Sequence, residues 1–352
     1  MIRSTILYIL AFIVSFSAQS QDPIFSQPTL SSSYLSPALN GMFQGDYRLH
    51  VTYRDQWYTL IGAFSYKTSM ASFDYKINPN NQNVFTIGGS VLNDVAGAGS
   101  FRQTRGHLTG SYAMQLKGGD YGKFKQFISI GTQIGLGQNG IENEAFWFGR
   151  QFDIVNEEIN TDLSSGEPIP QDQNYGIGPY LDINLGVAWY AIKTRRQSFM
   201  AGASLAHINR PLISNYGLPT DNYRSRLSIH GSGKIMFSSD LGITPLLVIN
   251  FQGPQQIFQL GSSFIYDLVY LGESGFRVGG FARLANSVEG FGLDGITISA
   301  MYERQNAQIG FAYDFTLSNL RSASNSLGGF EISVNYISPG KANFSQPKVP
   351  GY

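Results

Sequence analysis

The sequence predicts an all-β chain closed into a transmembrane barrel of outer-membrane type, with about 14 antiparallel strands. Three observations lead there: apolar and polar residues alternate at period two along most of the chain, an export signal precedes them, and short connections alternate with long ones. Composition agrees. Lys and Arg total 24 and Asp and Glu total 24, so no charge excess points to nucleic acid. Charged residues are 14%, against roughly 25% in ordinary soluble domains. Aromatics also reach 14%, and there are 40 glycines, a mixture that suits strands with one face turned away from water. A mean hydropathy of −0.10 does not fit a bundle of membrane helices. The absence of cysteine excludes disulfides, thiol chemistry and cysteine-ligated metals.

The chain opens with one charge, Arg3, then an apolar run from Ile6 to Phe16 and a small-x-small site at Ala18-Gln19-Ser20. This reads as a signal peptide over 1–20, with Gln21 as the mature start. The run is too short for a spanning helix of roughly 20 residues. Residues 21–45 form an irregular N-terminal segment, placed in the periplasm or the lumen. The barrel occupies 46–338, and 339–352 is a tail without period.

Within the barrel, Tyr47, Leu49, Val51 and Tyr53 alternate with Arg48, His50, Thr52 and Arg54. Leu181, Ile183, Leu185, Val187 and Trp189 alternate with Asp182, Asn184, Gly186 and Ala188. Such patterns place strands near 47–55, 68–77, 84–93, 106–117, 124–137, 180–191, 198–209, 224–237, 241–252, 256–268, 275–284, 295–303, 306–315 and 329–337. Connections after even strands are short. Those after odd strands are long, at 56–67, 94–105, 138–179, 210–223, 285–294 and 316–328, and only the one near 253–255 breaks the rule. Short periplasmic turns and long extracellular loops are the barrel layout. Lipid offers the backbone no hydrogen-bond partner, so a spanning sheet must close on itself. Trp189, Tyr190, Tyr266, Tyr302 and Tyr336 end ladders where an aromatic girdle would lie. A soluble sandwich would need separate reasons for the export signal, the few charges and the rim asymmetry.

The residues give little support to catalysis. His107 and Ser111 lie four apart on one strand face, too far for direct contact at about 3.3 Å per residue. Gly231-Ser232-Gly233-Lys234 lacks the spacing of a phosphate loop and sits inside an alternating strand. The loop 138–179 carries Glu142, Glu144, Asp153, Glu157, Glu158, Asp162, Glu167 and Asp172 against Arg150 alone. It is a candidate Ca²⁺ site without a fixed ligand spacing, beside the plainer reading of a solvated acidic loop. Its Phe146, Trp147, Phe148, Phe152 and Tyr175 favour a folded cap or partner surface. Arg48, His50, Arg224, Arg226, His230 and Lys234 are candidate lumen-facing residues, either attracting an anionic solute or acidic polypeptide or pairing with Asp182 and Glu331.

Several segments, taken in order, resemble the PorP/SprF family of the Bacteroidetes type IX secretion system. They are QDPIFSQ (21–27), YLSPALNG (34–41), YRLHVTYRDQW (47–57), DINLGVAWY (182–190), Tyr313-Asp314-Phe315 and GGFEISVNY (328–336). The resemblance places Tyr34, Pro37, Ala38, Asn40, Gly41, Arg54, Gln56 and Trp57 at the family's characteristic positions. It implies an outer-membrane barrel, without enzymatic activity or cofactor, that binds, helps export or anchors a secreted surface protein of gliding-adhesin type through its C-terminal domain. Partners implied are that substrate, other type IX components and outer-membrane lipid. Alternatives are a core-machinery barrel touching periplasmic ring or peptidoglycan-linked components, and a porin-like channel. Pro37 and Asn40-Gly41 favour a turn, which would fold the N-terminal segment onto the periplasmic rim or into the lumen with Tyr34 and Trp57 as anchors.

Overall fold

A computed structural model describes residues 22–339 apart from 78–82, 98–99, 117–124, 141–148, 155, 161, 165–178, 195, 214–221, 269–273, 288–289 and 320. The barrel strands are Tyr47–Gln56 (β1), Tyr66–Ile77 (β2), Asn83–Ala96 (β3), Phe101–Gln115 (β4), Lys125–Gly140 (β5), Tyr180–Thr194 (β6) and Gln197–Ala206 (β7). The second half comprises Arg226–Met236 (β8), Leu241–Gln252 (β9), Gln255–Leu268 (β10), Ser274–Ser287 (β11), Gly290–Arg304 (β12), Ala307–Thr316 (β13) and Leu327–Ile337 (β14). Each pairs antiparallel with its chain neighbours, and β1 pairs with β14 from Arg48↔Ile337 to Gln56↔Gly329, closing the sheet. Ser338 finishes the seam. Its hydroxyl accepts from the Asp46 and Tyr47 amides at 2.9 Å each, and its own amide donates to the Tyr47 carbonyl.

Alternation dictates which side chains meet lipid. On β1, Leu49 and Val51 are exposed on the outer face while Arg48, His50, Thr52 and Arg54 point inward and are buried. Leu108, Ile130, Ile134, Val278 and Ile298 continue the outer belt. A belt of that extent on a closed cylinder has lipid as its partner. Among the described residues no helix is long and apolar enough to cross a membrane. The girdle expectation needs one correction. Tyr266 and Tyr336 face outward, but Tyr190 is 2% exposed and stacks inside the barrel on Phe127, ring centroids 4.8 Å apart. Its neighbour Trp189 takes the outward position, so the period-two pleat excludes Tyr190 from the same face.

The rim asymmetry is narrower than the sequence implies. Long connections occur at 57–65, 141–179, 207–225 and 317–326, all on one rim. The expected loops 94–105 and 285–294 are mostly strand, since pairing runs on to Ala96↔Phe101 and Ser287↔Gly290. Past the lipid both faces of a strand meet polar surroundings, so pairing continues where alternation fades. On the opposite rim, β4 stops at Gln115 and β5 starts at Lys125, a longer gap than the expected short turn. Gly231–Lys234 lies within β8, as an ordinary strand segment.

Candidate functional site

The bore is filled by the chain's own N-terminal segment, residues 22–46. Ser32–Leu35 forms one helical turn and Pro37–Leu39 a 3-10 turn. Between them Ser36 is extended, and its hydroxyl accepts from the Ala38 amide at 3.3 Å. Proline at the first position of the turn costs no hydrogen bond and presets its φ. The reversal ends at Gly41, where φ is +79° and a Cβ would lie 2.0 Å from the Thr86 hydroxyl. The string from Tyr34 to Gly41 is therefore a folded plug with almost every residue buried.

Barrel side chains satisfy the plug's backbone. The hydroxyls of Ser204, Ser129 and Ser111 donate to the carbonyls of Leu35, Ala38 and Asn40 at 2.6, 2.8 and 3.0 Å. Glu331 accepts from the Ser26 and Gln27 amides at 2.6 and 3.0 Å. Lys76 donates to the Phe43 carbonyl near the short-turn rim. Leu30, Leu35, Leu39 and Met42 pack on Phe127, Tyr190 and Val248, forming an apolar core inside the bore. At Ser36 and Pro37 the plug also lies so close to the wall that two strands have no room for a side chain. A Cβ on Gly131 would lie 2.4 Å from the Pro37 carbonyl carbon, and one on Gly186 would lie 2.4 Å from the Ser36 hydroxyl.

A charged clasp holds the plug's first residue at the long-loop rim. Arg105 reaches Asp22 at 2.7 Å, Arg226 and His207 at 2.9 Å, and the Tyr223 hydroxyl donates to it at 2.9 Å. His207 also touches Asp182 at 2.7 Å, and His107 touches Asp182 at 2.8 Å. Tyr223, 1% exposed, lies in the connection 207–225 next to Asn222, which bridges to Leu212 in the same connection.

Two opposing effects set the clasp's protonation. Burial alone would raise the Asp22 carboxyl, but Arg105, His207 and Arg226 outweigh it and hold it well below the usual range. Burial would lower the His207 imidazole, yet Asp22 and Asp182 raise it. The Asp22 contribution is then present above its ordinary value of 3.8 and is lost as pH falls through its depressed folded value. The His207 contribution is full below 6.5 and is lost as pH rises through its elevated folded value. The expected outcome is a lower urea midpoint for the detergent-solubilised barrel at roughly pH 9 than at roughly pH 5.5, with that difference flattened in His207→Gln.

The lumen candidates distribute as follows. Arg48 donates to Asp74 through Nε at 3.0 Å, and His50 lies 2.7 Å from the Asn335 side chain and 3.3 Å from the Ser31 hydroxyl. Arg226 stacks on Tyr34, 4.3 Å from its ring centroid, and donates to its hydroxyl at 2.6 Å. His230 is buried inside the wall, and Lys234 lies 3.8 Å from Asp267. Arg224 is a correction: it precedes β8 and is exposed at the rim, because the chain at 222–225 has not yet entered the sheet. The pairing partners also differ from Asp182 and Glu331. The arginines take Asp74, Asp314 and Asp22, while Asp182 binds histidines and Glu331 caps plug amides. His107 and Ser111 are engaged separately, with Asp182 and with the Asn40 carbonyl.

Of the motif residues, Tyr34 folds back to donate to the Pro23 carbonyl at 2.6 Å and sits edge-on to Phe25. Pro37 and Ala38 press on Gly131, and the buried Asn40 side chain makes no hydrogen bond. Arg54 reaches Asp314 at 2.8 Å and the Ser26 hydroxyl at 2.7 Å, so it ties strand to plug, and it also holds Gln56 at 3.0 Å. Trp57 does not anchor the plug beside Tyr34. Its backbone is left-handed, with φ 64°, and its ring meets Tyr66 edge-on at 5.3 Å on the outer rim. The acidic loop lies partly outside the described residues, Glu142, Glu144, Glu167 and Asp172 among them. Phe152–Asp153 and Glu158–Ile159 form a small hairpin there, and no metal-ligating cluster occurs among the described residues.

Above the plug the mouth opens into a cup of about 500 Å³. Asp22, Pro23 and Ile24 form part of its floor, with Arg54, Gln56 and Trp57 on one wall. Of the clasp, Arg226, Asp182 and His107 were singled out by sequence reasoning, whereas Asp22, Arg105 and Tyr223 were not. Asp22 carries no local signal, because its carboxylate's partners come from two distant strands and the 207–225 connection.

The family model for the type IX secretion system membrane protein PorP/SprF matches residues 17–336, nearly the whole chain. The chain belongs to that family. PorP/SprF membership together with a closed barrel and a lipid-facing belt places it in the outer membrane. Among curated proteins no sequence match is found. Matches to solved structures are at low identity. The TodX monoaromatic hydrocarbon channel, a deltaS2 mutant, is 10% identical over 85% of this chain and 91% of that one, with a TM-score of 0.44. A Pseudomonas aeruginosa FadL homologue is 11% identical over 87% and 93%, at 0.44. The Ralstonia pickettii toluene transporter TbuX is 13% identical over 87% and 92%, at 0.41.

Proposed function

We propose that this PorP/SprF barrel works by binding rather than by catalysis or conduction, holding an exported surface protein of gliding-adhesin type at the outer membrane through that protein's C-terminal domain. The observation that carries the reading is the plug: the bore is occupied by residues 22–46 and the remaining open volume faces the long-loop rim. A barrel blocked in this way has little use as a solute channel, whereas its outer mouth and loops remain accessible. The charged groups of the bore are paired with one another or with the plug, which argues against an anion pathway. Contact with other type IX components accompanies this role, and the acidic loop is a candidate Ca²⁺-binding element beside the mouth.

The test is affinity purification of the tagged barrel from native outer membranes, with identification of what remains bound after detergent washes. A large secreted protein recovered in stoichiometric amount is the expected outcome. Recovery of periplasmic ring or peptidoglycan-linked components alone would replace this reading with the machinery role.

A further inference from the structure

The cup and the plug together define how far a bound chain can enter. We propose that the outer cup is a blind socket for a terminal polypeptide segment: a chain end enters from the cell exterior, stops on Asp22–Ile24, and does not pass through the barrel. The proposal rests on the binding role above and adds the site, the class of occupant and its depth.

The volume sets the first limit. About 500 Å³ lies within the range of ligand pockets and is far too small for a folded domain. What fits is a short extended segment. The lining sets the second. Gln255 and Gln56, the latter accepting from Arg54 through its oxygen, line the space with Trp57 and Tyr66 on one side. Gln103 and Asn286 in the same lining already bond, the first to Tyr223 and the second to Gln256 and Pro254. A polypeptide entering a confined site must satisfy its N–H and C=O groups, and side-chain amides offer both a donor and an acceptor. Charge sets the third. The cup's arginines are matched by carboxylates, Arg54 with Asp314 and Arg283 with Asp294 and Asp314, so nothing in the lining selects a phosphate or a multivalent ion.

The floor closes the argument. Beyond Asp22–Ile24, two spaces beside the plug are about 30 Å³ each and a third, at Thr29, is about 40 Å³, room for a few waters but not for a chain. Lower still, the wall is within a Cβ's reach of the plug at Gly131 and Gly186. A chain cannot thread past without expelling the segment, and that segment is secured from Asp22 to Asp46.

The sequence contains no cysteine, so single-cysteine variants report position cleanly. Three positions are read on intact cells with a membrane-impermeant maleimide-polyethylene glycol: Ile24→Cys on the floor, Ser33→Cys within the plug, and Gln44→Cys at the short-turn rim. Ser33 is 3% exposed with an unbonded hydroxyl, so the nearly isosteric swap preserves packing. Folding is checked by the heat-modifiable shift on gels. Expected is labelling of position 24 from outside, of position 44 only after the outer membrane is permeabilised, and of position 33 only after denaturation. Labelling of position 33 from outside, or failure of position 24 to react, overturns the blind floor.

The occupant is read separately, by photocrosslinking from a benzoylphenylalanine placed at Phe101 in the cup wall. Crosslinks to the C-terminal peptide of the co-purifying secreted protein are expected. If that protein co-purifies but does not crosslink at position 101, the socket is wrong while the binding role stands. If nothing secreted co-purifies, the binding role itself fails.

Discussion

Gly131→Val should turn a silent barrel into a conducting one. In the native wall, Gly131 of β5 lets the Pro37 backbone approach so closely that even a Cβ would sit 2.4 Å from its carbonyl carbon and 2.7 Å from the Ala38 nitrogen. Those neighbours are backbone atoms in a rigid turn, so they cannot rotate away as a flexible side chain would. Overpacking of this kind costs about 1–3 kcal/mol. The strand is held by two ladders, whereas the 3-10 turn is held by a few hydroxyl-to-carbonyl bonds, so the turn should yield first. Planar-bilayer recordings should show almost no current for the native protein and stable channels for Gly131→Val. Gly110→Val is the control, because nothing lies within 4 Å of a Cβ there. Silence in both variants would mean that the turn adjusts without leaving the bore.

The second large effect is expected at Asp22. Removing its carboxylate with Asp22→Ala leaves Arg105, 3% exposed, and Arg226, 7% exposed, without their shared counter-charge. Breaking a buried pair from one side typically costs about 3–5 kcal/mol, because the remaining charge stays desolvated. The urea midpoint of the barrel in detergent should fall accordingly. Asp22→Ala combined with Arg105→Met should recover part of the loss, since it removes a stranded charge along with its partner. Equal midpoints for Asp22→Ala and the native protein would show that water reaches the clasp freely.

Much of the barrel was legible because lipid imposes a simple rule on sequence. Leu49-His50-Val51-Thr52 can be only a strand with one greasy and one polar face, and fourteen such runs specify the count. The ends were less legible. Asp94 and Asn286 lie beyond the lipid, where alternation is no longer required, so β3 and β11 continue past the point at which the pattern stops. The N-terminal segment was partly legible: Pro37 and Asn40-Gly41 marked a reversal, but its destination depended on groups scattered over the wall. Ser111, Ser129 and Ser204 look like ordinary lumen polar residues until the carbonyls above them are located. Trp57 misled because a large aromatic beside a motif suggests an anchor, whereas its ring packs on Tyr66 at the rim. Asp22 was invisible, since one carboxylate three residues before Phe25 says nothing about two arginines more than eighty residues away.

The Ser338 seam has a consequence for biogenesis. The first hairpin and the final strand meet only once the entire polypeptide is available, and the residues lying along the axis are covalently continuous with that first hairpin. The finished cylinder is thus wrapped around its own leading segment, like a stave barrel about a post. Such long-range pairing is slow to form, and before the last stitch is made the amino-terminal stretch already offers the curling sheet a surface to fold against.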